Sequence, residues 1–150
     1  PNNSVYQVTA EALSINKINL VEHDKLAITE KEAGTKLYEF LSTSYNEAGK
    51  NKLIPIGHNP NADILQITDK LISVNSWNQY VSYRLIDTAG LAQFLKIVGK
   101  IPDNISCSLS HLIAYFTKNN PNTVDNTLHD AKVDTHSTLY VLSNLIVLSK

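Results

Sequence analysis

Twice along the chain, a short strand-like run is followed by a residue that can cap a helix and then by an amphipathic helical pattern. The first run covers residues 53–57 and precedes a predicted helix at residues 61–72. The second covers residues 80–86, and Asp87 with Thr88 can cap the helix behind it. This order of elements predicts an α/β domain, whose helices must cover a sheet.

Three more helices are predicted from caps and from apolar residues at three- and four-residue steps. Thr29 and Glu32 have the form of a capping box, so a helix should begin there, and Gly49 can end it. Ser108 can cap another helix, and a last helix should run over about residues 130–148. Five helices and two short strands leave too little sheet to cover the helices, so further strands are expected before the first printed residue.

The composition limits the class of protein. With 150 residues, 43% of them hydrophobic and 18% charged, the chain should form one domain with a packed core. A formal net charge of -1 excludes a strongly basic protein, so any nucleic-acid site must be a local cleft. The single Cys107 cannot form an internal disulfide, and no stretch approaches the roughly 20 apolar residues that span a bilayer. We therefore expect a cytoplasmic protein with no membrane partner.

Two short motifs contain the side chains most suited to chemistry. The first, residues 57–63, reads Gly-His-Asn-Pro-Asn-Ala-Asp and follows the first strand-like run. The second, residues 129–134, reads His-Asp-Ala-Lys-Val-Asp and opens the last predicted helix. A strand that ends in His-Asn with an aspartate four residues on, followed later by His-x4-Asp at a helix start, resembles the second and third motifs of the DEDDh family of 3′→5′ exonucleases.

The resemblance implies roles for three residues. Asp63 and Asp134 match the metal-binding carboxylates of the family, and His129 matches the histidine that gives the family its final letter. The tyrosine-bearing variant of the family is disfavoured, because Asp130 occupies the position four before Asp134. The expected catalytic residues are therefore Asp63, His129 and Asp134, and the expected cofactors are two Mg²⁺ or Mn²⁺ ions.

Other parts of the chain resemble the same family. Residues 83–88 are similar to its central strand, residues 108–112 to the short helix before its third motif, and residues 8–18 to the segment after its third strand. The first motif of the family, Asp-x-Glu, has no counterpart. The resemblance implies a ribonuclease H-like fold with a mixed five-stranded sheet flanked by helices. Residues 1–150 would then form a single exonuclease domain that lacks its N-terminal part.

The chemistry of phosphodiester hydrolysis explains the need for these residue types. Two hard cations about 4 Å apart activate a water and stabilise the leaving 3′ oxygen, and carboxylate oxygens suit Mg²⁺. Asp63 and Asp134 would supply half of a four-carboxylate cage. His129, with an ordinary pKa of about 6.5, can act as a general base toward water near neutral pH.

The reaction that the resemblance implies is hydrolysis of terminal phosphodiesters at the 3′ end of single-stranded nucleic acid, with release of nucleoside 5′-monophosphates. DNA is the preferred substrate, because the central segment looks like that of proofreading exonucleases, and a DNA polymerase is the candidate protein partner. Ribonuclease T and oligoribonuclease share the motif set, so RNA is an alternative substrate. Two further alternatives are a non-catalytic member that binds nucleic acid or a polymerase, and an unrelated α/β interaction domain.

Several of these residues also have plain structural interpretations. An aspartate in the first turn of a helix usually interacts with the helix dipole or acts as a cap. His58 is expected to be a hydrogen-bonded strand-end histidine, Asn59 to order a turn, and Asp87 to be an N-cap. Weaker candidates are Lys118 and Lys132 for phosphate contact and Tyr6, Trp77, Tyr80 and Tyr83 for base stacking, although aromatic residues beside apolar ones are more often core.

Overall fold

A computed structural model describes residues 9–10, 19–119 and 131–150 of the chain. Within these ranges the protein is mixed α/β and mostly helical, with one small parallel sheet, so the α/β class is confirmed in this coarse sense. None of the described helices is both long and apolar enough to cross a bilayer. The elements, in chain order, are α1 (Leu20–Leu26), α2 (Glu30–Glu47), β1 (Ile56–Gly57), α3 (Asn61–Lys70), α4 (Val74–Tyr80), β2 (Ile86–Asp87), α5 (Thr88–Ile97), α6 (Leu109–Asn119) and α7 (Ala131–Leu148).

The chain divides into two compact units. Unit 1 comprises residues 1–54 and 61–84, and unit 2 comprises residues 55–60 and 85–150. Unit 1 contains α1 to α4, whereas unit 2 contains both strands and α5 to α7. The expectation of a single exonuclease domain over residues 1–150 stays a prediction.

Helix α2 of unit 1 begins and ends as its sequence predicts. Thr29 Oγ1 accepts a hydrogen bond from the backbone N–H of Glu32 at 3.2 Å, and Glu32 Oε2 accepts one from the backbone N–H of Thr29 at 2.9 Å. These bonds form the predicted capping box, which satisfies donors that a helix start otherwise leaves unpaired. Behind the helix, Gly49 takes a positive φ of 65°, which suits glycine at a helix end.

The core of unit 1 lies where α2 packs against α4. Leu41, Tyr80 and Val81 are buried there, and Trp77 packs against them. The hydroxyls of Tyr80 and Tyr38 are hydrogen-bonded at 2.9 Å, and the two rings meet edge to face. Aromatic rings therefore fill much of this core.

The core of unit 2 is larger and lies where α7 packs against α5 and α6. Two of the helices begin where the sequence predicts them, because Asp87 is the N-cap of α5 and α6 follows Ser108. The predicted start of the last helix at about residue 130 lies outside the described residues. Ile101, in the segment between α5 and α6, is buried in this core. The facing sides of the helices supply the other buried residues, which are Ala92, Leu95, Leu112, Ile113, Phe116, Val141 and Leu145.

The sheet of unit 2 consists of the parallel strands β1 and β2. Ile56 lies beside Ile86, and Gly57 lies beside Asp87. Both strands therefore end at the same edge of the sheet, where the residues that follow β1 come close to those that follow β2.

The second predicted strand is mostly wrong. Tyr80 is the last residue of α4, and only Ile86–Asp87 pairs with β1. Ser73 caps α4 by accepting a hydrogen bond from the backbone N–H of Ser76. The local cap and the burial of aromatic side chains thus override the β propensity of the sequence.

The first predicted strand is shorter than expected and is not buried. Leu53 forms an isolated bridge with Val81, and β1 begins only at Ile56. The side chains of Ile54 and Ile56 are 55% and 42% exposed. The helix behind it ends at Lys70 rather than at residue 72, and neither α1 nor α4 was expected from the sequence.

Candidate functional site

Asp63, the first of the predicted site residues, lies in the first turn of α3. Its side chain is exposed and borders a shallow depression of unit 1 that also includes Gln66, Ile67, Lys70 and Leu71. The carboxylate of Asp63 is therefore open to solvent, as a metal-binding or substrate-binding group must be.

Asp134, the second predicted site residue, lies in the first turn of α7 and is half-buried. One turn further along, Ser137 and Thr138 are only 2% and 8% exposed, so α7 is packed into unit 2 directly behind Asp134. His129 and Asp130 lie outside the described residues. The role of His129 as a general base therefore stays a prediction.

The residues that the structure describes contain no group of three or more His, Cys, Asp or Glu side chains that could hold a metal ion. Asp63 belongs to unit 1 and Asp134 to unit 2. By ligand type both aspartates suit Mg²⁺, which prefers carboxylate oxygens, but two carboxylates do not complete a two-ion site. The convergence of Asp63, His129 and Asp134 on one cleft stays a prediction.

The ends of β1 and β2 carry a hydrogen-bonded polar cluster in unit 2. Asp87 Oδ1 accepts one hydrogen bond from the backbone N–H of Ala89 at 3.0 Å and another from the backbone N–H of Asn59 at 2.9 Å. The first bond caps α5, and the second holds the turn that follows β1. Asn59 has a φ of 58°, a left-handed conformation that asparagine tolerates better than most residues. The prediction that Asp87 is an N-cap is therefore confirmed, and Asn59 lies in the turn that Asp87 holds.

His58 and Thr88 extend this cluster into the interior of unit 2. His58 Nδ1 lies 2.9 Å from Thr88 Oγ1, and that hydroxyl donates to the carbonyl of Gly57 at 3.2 Å. Because the hydroxyl proton is directed at Gly57, the proton of the neutral imidazole is assigned to Nδ1. Nε2 is buried and has no hydrogen-bond partner among the residues described, so His58 is only half satisfied.

The surroundings of His58 favour its neutral form. Burial lowers the pKa of His58 below its ordinary value of 6.5, and this is the largest effect. The carboxylate of Asp87 and the backbone of Cys107 act in the opposite direction and raise the pKa. The imidazole is thus a neutral structural group near pH 7.

A shallow polar depression of unit 2 lies beside the strand ends. The Sγ atom of Cys107 donates to Oε1 of Gln93 at 3.4 Å within it. The sequence carries no signal for Gln93, Ser106 or Cys107, because these residues belong to no motif. Only the fold brings them to a common surface. The polar side chains around the depression are those of Asn59, Asp87, Gln93, Ser106, Cys107 and Ser108.

The aromatic candidates for base stacking separate into core and surface residues. Tyr80 is 5% exposed and Trp77 packs beside it, which confirms the structural interpretation for both. Tyr83 is 84% exposed, with the guanidinium carbon of Arg84 5.4 Å from its ring centroid. Tyr6 lies outside the described residues. Tyr83 is therefore the one of these described aromatic residues whose ring is accessible to a ligand.

Comparisons of the chain with protein-family models, with curated proteins and with solved structures found no match. The resemblance to DEDDh exonucleases rests on the motif residues of this sequence.

Proposed function

We propose that the protein is a metal-dependent 3′→5′ exonuclease of the DEDDh type with a ribonuclease H-like fold. The proposed reaction hydrolyses the terminal phosphodiester at the 3′ end of a single-stranded nucleic acid and releases a nucleoside 5′-monophosphate. DNA is the preferred substrate, and a DNA polymerase is the proposed protein partner.

The position of the two motif aspartates carries this proposal. Asp63 lies in the first turn of α3, which follows the turn behind β1, and Asp134 lies in the first turn of α7. A carboxylate on the first turn of a packed helix is held by a rigid element, and catalytic constellations need such support. The exposure of Asp63 and the partial exposure of Asp134 meet the further requirement that a ligand can reach both groups.

The proposed site residues divide into metal ligands, a general base and candidates for phosphate contact. Asp63 and Asp134 hold Mg²⁺ or Mn²⁺, with two ions expected in the complete site. Bound divalent ions in such a site supply Lewis acidity for the attacking water and for the leaving 3′ oxygen. His129 accepts a proton from that water. Lys118 and Lys132, which are both exposed, are candidates for contact with phosphate oxygens.

Degradation of a 5′-labelled single-stranded DNA oligonucleotide tests the proposal. The protein is incubated with Mg²⁺, with Mn²⁺ or with a chelator, and a matching RNA is tested in parallel. Asp63→Asn, Asp134→Asn and His129→Gln are compared with the wild type. The Asn variants keep the size of the side chain but remove the charge that a divalent cation requires.

Three exposed residues provide matched control variants. Asp69→Asn lies on the same helix as Asp63, where Asp69 pairs with its neighbour Lys70 on the surface. Asp103→Asn removes an exposed carboxylate of unit 2, and His136→Gln removes an exposed imidazole of α7. None of the three should change the rate of degradation by more than about threefold, since exposed side chains away from a site contribute little.

The outcomes separate the alternatives. A ladder that shortens from the 3′ end, requires metal and is reduced about a hundredfold or more in the three site variants supports the proposal. Degradation of RNA alone would identify the ribonuclease alternative. Binding of the oligonucleotide without degradation would favour the non-catalytic alternative, and neither binding nor degradation would favour an unrelated interaction domain.

A further inference from the structure

We propose, as an inference that rests on the proposed function, that Tyr83 and Arg84 together bind one nucleotide of a single-stranded nucleic acid. The base stacks on the ring of Tyr83, and the guanidinium of Arg84 contacts a phosphate. Neither residue belongs to the two motifs. Both residues, and the residues that hold their backbone, belong to unit 1.

Tyr83 presents an aromatic ring that the fold leaves uncovered. It is 84% exposed, which is the largest fraction among the exposed large hydrophobic residues in the described part of the chain. Tyr80, three residues earlier, is buried in the core of unit 1. A ring in solvent contributes little burial free energy to folding, whereas its flat apolar face can still stack on a ligand. Tyr83 is therefore accessible for binding, and Tyr80 is not.

Hydrogen bonds hold the backbone on both sides of Tyr83. The backbone N–H of Ser82 donates to the carbonyl of Leu53 at 2.8 Å, and Ser82 Oγ accepts a bond from the backbone N–H of Arg84 at 3.0 Å. Just before them, Val81 is buried in the core of unit 1. An ordered backbone thus carries the exposed ring. A ligand does not have to order this segment, which lowers the entropic cost of binding.

Arg84 places a positive charge against this ring. It is the single arginine of the chain, and its guanidinium lies over the ring of Tyr83, with Cζ 5.4 Å from the ring centroid. Distances up to about 6 Å are typical of a cation–π contact. Within the described ranges, the guanidinium forms no ion pair and no hydrogen bond. Its N–H donors can therefore contact phosphate oxygens, which the planar guanidinium matches in geometry.

A nucleotide presents both of the groups that this pair can bind. Its base has a flat π-face that stacks on tyrosine whatever the identity of the base, and its phosphate is an anion. Contacts that do not depend on sequence suit an enzyme that removes successive nucleotides from a 3′ end. The formal net charge of -1 gives the chain no general attraction to nucleic acid, so local contacts must supply the affinity.

Four variants separate the two contacts. Tyr83→Phe keeps an aromatic face, whereas Tyr83→Leu keeps an apolar side chain without one. Arg84→Lys keeps the charge without the planar donors, whereas Arg84→Gln removes the charge. The matched controls are Phe94→Leu, which removes an exposed ring of unit 2, and Lys100→Gln, which removes an exposed cation. Substitutions at exposed positions should leave the fold intact, which far-ultraviolet ellipticity checks, and Tyr83→Thr replaces Tyr83→Leu if the leucine variant aggregates.

Each protein is titrated into a 5′-labelled single-stranded DNA oligonucleotide or its matching RNA, and binding is followed by fluorescence anisotropy. A chelator prevents metal-dependent degradation, and a set of oligonucleotides that each lack one base is tested in parallel. We expect Tyr83→Leu to bind about tenfold more weakly than the wild type, and Tyr83→Phe to bind within about threefold of it. The wild type and Tyr83→Leu should bind equally to the oligonucleotide that lacks the stacked base.

Arg84→Gln should weaken binding and change its dependence on salt. Loss of one phosphate contact on a single strand lowers the slope of log Kd against log salt concentration by about 0.7. Arg84→Lys should keep the wild-type slope, because the charge remains. Tyr83→Leu and both controls should keep it as well.

Three results would overturn the nucleotide-binding pair. One is a Tyr83→Leu protein that binds within about twofold of the wild type, or whose loss of affinity is the same for every oligonucleotide of the set. Another is an unchanged salt slope in Arg84→Gln. The third is a wild type that binds neither the DNA nor the RNA.

Failure of the proposed function gives a different result. A wild type that binds through Tyr83 and Arg84, but does not degrade the oligonucleotide with Mg²⁺, would lose the proposed exonuclease activity and keep the nucleotide-binding pair. Degradation with Mg²⁺ by a protein whose binding is the same in Tyr83→Leu and Arg84→Gln would keep the activity and remove the pair.

Discussion

Thr88 Oγ1 lies 2.9 Å from Nδ1 of His58 while donating its own proton to the carbonyl of Gly57. The other ring nitrogen, Nε2, is buried and has no hydrogen-bond partner in the described part of the chain. Protonation of His58 would place a charge in this buried site, and burial is the largest effect on its pKa. The strand ends of unit 2 are therefore built around a neutral histidine.

Acid should destabilise the protein through this residue. The pKa of His58 is lowered below 6.5 in the folded state, chiefly by burial, so the unfolded chain binds this proton more readily. The stability due to neutral His58 is complete above pH 6.5 and is lost as the pH falls toward the folded-state pKa. We expect the Tm of the wild type to fall more steeply between about pH 7 and pH 5 than that of His58→Gln.

His136→Gln is the control for this measurement, because His136 is an exposed histidine of α7 in the same unit. Its Tm should follow the pH dependence of the wild type. Parallel curves of Tm against pH for the wild type and His58→Gln would contradict the prediction. They would show that the pKa of His58 is the same in the folded and unfolded states.

The hydroxyl pair of unit 1 should be visible in the titration of tyrosine. The pKa of Tyr38 is raised above 10.0, first by its hydrogen bond with the hydroxyl of Tyr80. We expect Tyr80→Phe to return the Tyr38 pKa toward 10.0, measured by tyrosinate absorbance. Tyr45→Phe is the control, because Tyr45 contacts the ring of Tyr80 without taking part in that bond. The raised pKa of Tyr38 favours stability below pH 10, and this contribution is lost as the pH rises further. A Tyr38 pKa that Tyr80→Phe leaves unchanged would rule out this bond as its cause.

Two helical glycines should respond in opposite directions to alanine. A Cβ at Gly34 would collide with the backbone carbonyl of Leu71, which cannot rotate away as a flexible side chain could. We expect Gly34→Ala to lower the free energy of unfolding by about 1–3 kcal/mol, despite the better helix propensity of alanine. At Gly90 the new Cβ would lie 3.6 Å from Asp87 Oδ2, an ordinary contact, so Gly90→Ala should be neutral or stabilising by up to about 1 kcal/mol. Urea unfolding measures both, and a stabilising Gly34→Ala would contradict the close approach of α2 to Leu71.

Helix α5 offers a test of the unit 2 core within one helix. Leu95 is 2% exposed and belongs to the buried cluster, whereas Ile97 is 75% exposed. We expect Leu95→Ala to cost about 2–5 kcal/mol of unfolding free energy and Ile97→Ala to change it by less than about 0.5 kcal/mol. Similar losses for the two variants in urea unfolding would mean that Ile97 is covered in solution.

Caps and glycines made much of the helical structure predictable. The capping box of Thr29 and Glu32, the N-cap Asp87 and the helix end at Gly49 follow from short-range chemistry, and the structure confirms them. Such features depend on neighbours within about one helical turn, so they can be read from sequence alone.

The strands were harder to predict, because they depend on partners that are distant in the chain. Tyr80 has a strand-forming side chain, yet it ends α4 and packs against Leu41 of α2.

The cluster of Asp87, Asn59 and His58 was only partly predicted from the sequence. The cap at Asp87 is local, whereas its bond to the N–H of Asn59 spans 28 residues and requires the parallel register of β1 and β2.

Trp77 gives the protein a built-in optical reporter. It is the single tryptophan of the chain and packs against the buried cluster of Leu41, Tyr80 and Val81. Its fluorescence therefore follows the unfolding of unit 1 without contribution from unit 2, whereas far-ultraviolet ellipticity follows the helices of both. Superimposable denaturant unfolding curves from the two signals would describe one cooperative transition. Separated curves would give the order in which the two units unfold. Neither measurement needs a dye or an engineered label.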